Sequence, residues 1–376
     1  MGECLYFPDR PAEVDSRAGE GASLAALRGR IDGYLSWLRK EAAGLTGLRG
    51  LLLGGGYGRG EGGVWWPAGE AAPELYNDME FYLFAAGVAP GVVDKWIHEG
   101  EARLGIEMEF KVMAPEAFAG ARPSMFYYDL LKGHVRVAGS AEWVAGLPGQ
   151  LSEAAQIPVE EGSRLLVNRG MSLFRCLRWS AGEGEGEGVF CDRIAAKLRM
   201  ALGDAVLCLN GRYTVSCRER NARLSEVRRT PPDWPVIREG HAEGVVFKFR
   251  PSASGRSAAD WQGPLRELQA IWLRTFLWLE GERLGTTFAD ARAYTAYSGR
   301  LFPEEAAWKN VLRQVRDLRR PVRLPFSGGE HPRARVWRAM AFLMAGDAAG
   351  AQAQLGVRLE GAALEEACRA AWKHYP

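Results

Sequence analysis

The sequence predicts an α+β protein: an N-terminal mixed sheet flanked by helices, followed by an all-helical domain. Three observations predict it. Short apolar runs of strand character lie in the first 140 or so residues. A glycine-rich loop, within "LLLGGGYGRG" (residues 51–60), interrupts the first of them. Beyond Pro158 the apolar residues recur at helical spacing for most of the remaining chain.

In chain order, Leu24, Leu27, Ile31, Tyr34, Leu35 and Leu38 predict a helix over 24–40. A strand over 50–53 runs into the glycine loop, and a second apolar strand over 78–84 carries Asp78 and Glu80. A helix is expected over 89–104. "IEMEFKVM" (106–113) alternates charged and apolar residues, the pattern of a strand with one polar face. "HVRVAG" (134–139) reads as a further short strand. These elements define an N-terminal extension over 1–24 and an α/β domain over 25–150.

The helical domain spans 151–376. Leu166, Gly170, Leu173 and Leu177 form one apolar stripe, and 189–211 reads as a second helix stopped by Gly211. "GEGEGEG" (182–188) between them is a flexible acidic hairpin. Further helices are expected over 264–284, 288–297, 304–318, 333–345 and 364–373, with 251–260 as a loop.

Of the 376 residues, 47% are apolar and 25% charged, as in ordinary globular proteins. No apolar run reaches the roughly 20 residues needed to span a bilayer. The polar, acidic start is unlike a signal peptide, and Tyr6 breaks the myristoylation pattern. A cytoplasmic protein with no membrane partner is expected. The six cysteines and five histidines are scattered without metal-finger spacing, so the thiols read as reduced and buried. The net charge of +2 hides an asymmetry: residues 1–150 hold 14 Lys/Arg against 20 Asp/Glu, the remainder 34 against 26. Such halves suit an anionic ligand, or a metal with its anion, between them.

The chemistry concentrates at the acids and the loop. Strand residues two apart share a face, so Asp78 projects with Glu80, and Glu107 with Glu109. Carboxylates crowded on neighbouring strands need a cation, and hard oxygen ligands suit Mg²⁺. Gly54, Gly55 and Gly56 let backbone N–H groups approach a phosphate closely, and Arg59 carries a guanidinium suited to phosphate oxygens. The loop lacks the Lys-Ser/Thr of a Walker A motif. Its G-x-G-x-x-G match (Gly58, Gly60, Gly63) runs into "VWWPAGE", not a Rossmann helix, and no kinase H-R-D or D-F-G follows.

Taken together, these residues resemble the polymerase-β-like nucleotidyltransferase superfamily, in its minimal and antibiotic-modifying forms. "LLLGGGYGRG" looks like the strand and glycine pair (Gly55, Gly56), "YNDMEFYLF" like the Asp-x-Glu strand, and "GIEMEFKVMAP" like the strand of the third acid. The resemblance implies that Asp78, Glu80 and Glu109 are catalytic and bind metal, with Glu107 the alternative third acid. It implies that Gly55, Gly56, Arg59 and Lys197 bind nucleotide, with Mg²⁺ (two ions) as cofactor and an NTP as donor. "MFYYDLLKGHVRVAG" is similar to the helix and strand that close such domains, and a helical domain that covers the nucleotide often follows. Two features depart from the pattern. More than 20 residues separate the glycine pair from Asp78, which places an insertion around "VWWPAGEAAPE", where Trp65 and Trp66 either pack the insertion, the favoured reading, or stack on a base. Lys111 stands on the polar face beside Glu109, where it either weakens metal binding or touches the triphosphate.

The implied function is Mg²⁺-dependent transfer of an NMP from an NTP to a hydroxyl acceptor. The alternative is a non-catalytic nucleotide-binding regulator or antitoxin-like partner of the same fold. Nucleic acid is a less favoured partner: the basic runs at 216–229 and 313–323 lack interleaved aromatics and read as solvated helix faces. His134 and Asp129 read as structural.

Overall fold

A computed structural model describes residues 6–8, 20–67, 72–118, 120–184, 186–317 and 324–375. Most of the predicted extension over 1–24 therefore lies outside the described residues. In chain order the elements up to residue 158 are α1 (Glu20–Ala43), β1 (Leu48–Leu53), α2 (Gly55–Gly58), β2 (Gly63–Trp65), β3 (Glu74–Tyr76), β4 (Met79–Ala85), α3 (Val92–Leu104), β5 (Met108–Met113), α4 (Met125–Lys132), β6 (Val135–Gly139) and α5 (Ala141–Ala145). The helices that follow are α6 (Glu160–Ser180), α7 (Gly188–Leu209), α8 (Cys217–Arg223), α9 (Trp234–Phe249), α10 (Ala258–Leu284), α11 (Ala291–Thr295), α12 (Ala307–Asp317), α13 (Arg333–Met344), α14 (Ala348–Leu355) and α15 (Gly361–His374). The chain is thus an α/β sheet domain followed by a largely helical region.

By contact it divides into two compact units. One comprises Met1–Pro158, Asn210–Val227 and Ala242–Ala253; the other comprises Val159–Leu209, Arg228–His241 and Ser254–Pro376. The first unit therefore takes back two later segments, α8 and the last half of α9, which a linear boundary near 150 does not anticipate.

The first unit is built on a four-stranded sheet in the order β5-β4-β1-β6. β1 runs antiparallel to β4 and β6, whereas β4 and β5 are parallel. Alternation along the strands assigns two faces. Leu51, Leu53, Met79, Phe81 and Leu83 pack with Leu27, Ile31 and Leu38 of α1 and Trp96 of α3. Leu52, Tyr82 and Phe84 pack on the opposite side with Phe118, Leu130 and Leu151. The helical stripe read from the sequence is the buried face of α1, and Tyr34 within it donates to the Trp96 carbonyl at 2.9 Å. The insertion between loop and acids contains the antiparallel ribbon β2–β3, with 68–71 outside the described residues.

The second unit packs α6, α7, α10 and α13 around Leu166, Leu173, Leu198, Trp272, Phe276, Trp337 and Met340. The Trp272 indole donates to the Leu166 carbonyl at 2.7 Å, which lets a large polar-edged ring be fully buried. α10 begins in a capping box of Ser257 and Asp260, so its helix enters the segment read as a loop. α9 and α14 were not expected. Among the described residues no helix is long and apolar enough to cross a membrane.

Candidate functional site

Asp78 and Glu80 fall on the face of β4 that carries Tyr82 and Phe84. Asn77 precedes them with a φ of 73°, a left-handed turn that Asn tolerates better than most residues. Its side-chain amide donates to Asp78 Oδ1. In the next residue the Met79 N–H donates to the Glu107 carbonyl at 2.9 Å, which opens the parallel ladder. That register pairs Glu80 with Glu109 and Tyr82 with Lys111. Directly paired residues project to the same side of a sheet, so Glu80 and Glu109 come side by side, with Asp78 two residues before Glu80. The Glu80 carboxylate accepts from the Tyr82 hydroxyl at 2.7 Å. Although Glu109 is exposed on the strand, partial desolvation of its carboxyl raises its pKa, and the charges of Glu80 and Asp78 raise it further. Lys111 works against them, while the exposed Glu107 adds to the rise.

The glycines are held by close packing of backbone. Gly54 N–H donates to the Glu80 carbonyl at 2.8 Å, and a Cβ on Gly54 would stand 2.7 Å from the Tyr82 ring. Gly55 has a φ of 58°, and a Cβ there would meet Glu80 Oε1 at 2.6 Å. A Cβ on Gly58 would sit 2.2 Å from the Leu53 carbonyl oxygen. At Gly56 the neighbour is different: a Cβ would come within 3.3 Å of Lys248 Nζ. Lys248 thus brings an ammonium over the glycine loop from the end of α9.

Arg59, expected at the phosphates, lies among acidic partners of the protein itself. Its guanidinium is largely buried and forms ion pairs with Asp129 at 3.4 Å and Glu61 at 3.8 Å. Burial by itself depresses the Arg59 pKa, but Asp129 and Cys217 more than reverse this and the net shift is upward. Tyr213 donates to the same Asp129 carboxylate at 3.0 Å, and Arg220 Nη1 donates to the Tyr213 hydroxyl at 3.2 Å. Glu61 accepts from the Cys217 N–H at 2.8 Å and the Ser216 hydroxyl at 3.0 Å. The network fastens the loop to α4 and α8, and it holds the arginine away from the role of a free phosphate ligand. Asp129 belongs to it. His134 Nδ1 contacts the Leu130 carbonyl at 2.8 Å, and burial lowers its pKa.

Lys197, expected at the nucleotide, lies half-buried on α7 in the second unit. Lys248, in the first unit, is the lysine at the loop. No local signal singles it out in "VVFKFR" (245–250), because its position depends on α9 being shared between the two units. Trp65 stacks on Tyr76 (ring centroids 6.0 Å apart), and Tyr76 meets the Phe247 ring edge-on at 6.2 Å. Trp65 thus packs the insertion.

Among the described residues, no three of His, Cys, Asp or Glu form a ready metal cage. Were Mg²⁺ bound here, Asp78, Glu80 and Glu109 would be the residues to hold it, since Mg²⁺ takes one or two carboxylates and completes its shell with water and phosphate oxygens. Partial desolvation, then the charges of Glu80 and Asp78, raises the Glu109 pKa, and a nearby cation would offset that rise. No protein-family model and no curated protein sequence matches the chain.

Proposed function

We propose that the first unit binds a nucleoside triphosphate with Mg²⁺ and transfers its nucleotidyl group to a hydroxyl acceptor. The observation that carries this reading is the pairing of Glu80 with Glu109 beside Asp78, on the sheet face that abuts the glycine loop. Asp78, Glu80 and Glu109 would hold the metal. Bound there, Mg²⁺ would polarise the α-phosphate and neutralise the departing pyrophosphate.

The chain's own groups supply the rest. Gly55 and Gly56 carry no side chain of their own, so the Glu80 carboxylate and the Lys248 ammonium can close on the loop backbone where a phosphate would be held between them. Lys248 adds a positive charge above Gly56, where β- and γ-phosphates would lie. Asp78 or Glu109 accepts the proton of the acceptor hydroxyl as it attacks the α-phosphorus. Tyr82 fixes the Glu80 carboxylate by its hydrogen bond.

The test is calorimetric titration of ATP, GTP, CTP and UTP with Mg²⁺ into the wild type and Asp78→Asn. Metal-dependent binding of one nucleotide that weakens at least about tenfold in the variant supports the site. Binding of no nucleotide overturns it. Binding without turnover on any small hydroxyl acceptor or RNA would favour the regulator reading instead.

A further inference from the structure

α12, in the second unit, is built inside out. Its buried side is polar: Asn310 donates to the Gly329 carbonyl at 3.1 Å, Gln314 to the Gly328 carbonyl at 2.9 Å, and Asp317 accepts from Tyr375 at 3.1 Å. Its outward side carries Trp308, Leu312 and Val315, which are 63%, 57% and 53% exposed. Their i, i+4, i+7 spacing makes one ridge along the helix. Roughly a quarter-turn around the axis run Lys309, Arg313 and Arg316. The Arg316 side chain is 71% exposed. Over residues 307–317 the sequence holds three Lys/Arg and one acid, the inward-facing Asp317.

We propose that this face of α12 docks on an anionic lipid surface. Trp308, Leu312 and Val315 enter the headgroup boundary, and Lys309 and Arg316 meet the acidic headgroups. A surface helix ordinarily turns its apolar stripe inward, so an outward ridge calls for an apolar environment. Three side chains fall far short of the roughly 800 Å² that each partner brings to a stable protein complex. A second copy docked by the same face would set two rows of like charge together. Nucleic acid would satisfy the cations but leave Leu312 and Val315 in water. The interface of a charged bilayer accepts both features at once. Such docking needs no membrane-crossing helix and is independent of the nucleotide reading. It revises the expectation of no membrane partner, which rested on the absence of a spanning segment.

The test is flotation of the full chain with vesicles of phosphatidylcholine alone or with about 30 mol% phosphatidylserine, at low and high salt. The protein should float with the serine lipid, poorly without it, and less at high salt. Leu312→Gln/Val315→Gln and Lys309→Glu/Arg316→Glu should each lower the bound fraction at least about tenfold, with unchanged thermal melting. Failure to float with anionic vesicles overturns the proposal, as does flotation that neither double variant alters. Self-association without vesicles that Leu312→Gln/Val315→Gln abolishes overturns it as well, because the ridge would then be a protein interface.

Discussion

Glu80 and Glu109 face the same side of the sheet in direct parallel register, and Tyr82, two residues beyond Glu80, donates to its carboxylate at 2.7 Å. This relationship ties the acids to one geometry. Replacing Asp78 by Asn removes a charge from the cluster and keeps its shape. We expect folding to be preserved by circular dichroism and nucleotidyl transfer to be abolished. Retained turnover in a folded Asp78→Asn protein would sink the assignment of this acid.

Gly56 and Gly58 separate a chemical role from a steric one. Gly58→Ala sets a methyl 2.2 Å from the Leu53 carbonyl oxygen, where neither partner can yield without moving backbone. A loss of about 1–3 kcal/mol is expected from chemical denaturation. Gly56→Ala meets Lys248 Nζ at 3.3 Å and the Glu61 carbonyl oxygen at 3.2 Å, contacts that a small shift relieves. Stability should change little there, while triphosphate affinity falls because the methyl covers the approach to the loop.

Arg59 should behave as a structural residue. Its partner Asp129, whose side chain is 22% exposed, would lose its cation and keep only Tyr213, so the cost should fall below the about 3–5 kcal/mol of a fully buried pair. Arg59→Met should still lower the denaturation midpoint. Arg59→Met combined with Asp129→Leu should cost less than the two single changes added together. A stable Arg59→Met protein with weakened nucleotide binding would restore the phosphate-ligand reading.

Two groups of the second unit oppose one another in pH. Burial, then a hydrogen bond with Glu304, raises the Glu160 pKa from 4.5 to about 7, against the pull of Arg333. The folded protein then holds a proton that the unfolded chain releases, so this stabilisation is full below 4.5 and is lost as pH rises through 7. His331 runs the other way: burial, with Arg333 nearby, lowers its pKa from 6.5 to about 3. Its contribution is full above 6.5 and is lost as pH falls towards 3. Between 4.5 and 6.5 the two slopes cancel, each being at most about 1.4 kcal/mol per pH unit. Stability measured by urea denaturation should be nearly flat there in the wild type. In Glu160→Gln the His331 slope remains, and stability should rise with pH across the window. A flat profile in the variant would contradict the shift at Glu160.

The acids were legible because a strand repeats every two residues. Asp78 with Glu80, and Glu107 with Glu109, announce a polar face whatever the sheet order. The helices of the second unit were legible for the same local reason, as with Leu166, Leu173 and Leu177 along α6. What escaped is non-local. Arg59 reads as a free cation in "GYGRGEGG" until the chain folds Asp129 and Glu61 against it. Lys248 acquires meaning through its approach to Gly56, nearly 200 residues earlier in the chain. The ribbon β2–β3 has strands too short, at three residues each, to establish an alternation. α12 was expected only as a helix over 304–318, and nothing local in the sequence says which of its sides faces water.

The division of the first unit among three stretches of chain bears on its birth at the ribosome. Glu61 needs Ser216 and Cys217, Asp129 needs Tyr213, and the loop needs Lys248 above it. A nascent chain that has emerged only as far as residue 158 carries every acid of the site and the entire four-stranded sheet, yet none of these three supports. The sheet can begin to form early, but the loop reaches its final shape only after residue 253 has cleared the exit tunnel. Since domains commonly fold as they are synthesised, the site matures late although its residues are made early. A fragment cut at 158 would for the same reason be a poor surrogate for the unit it resembles on paper.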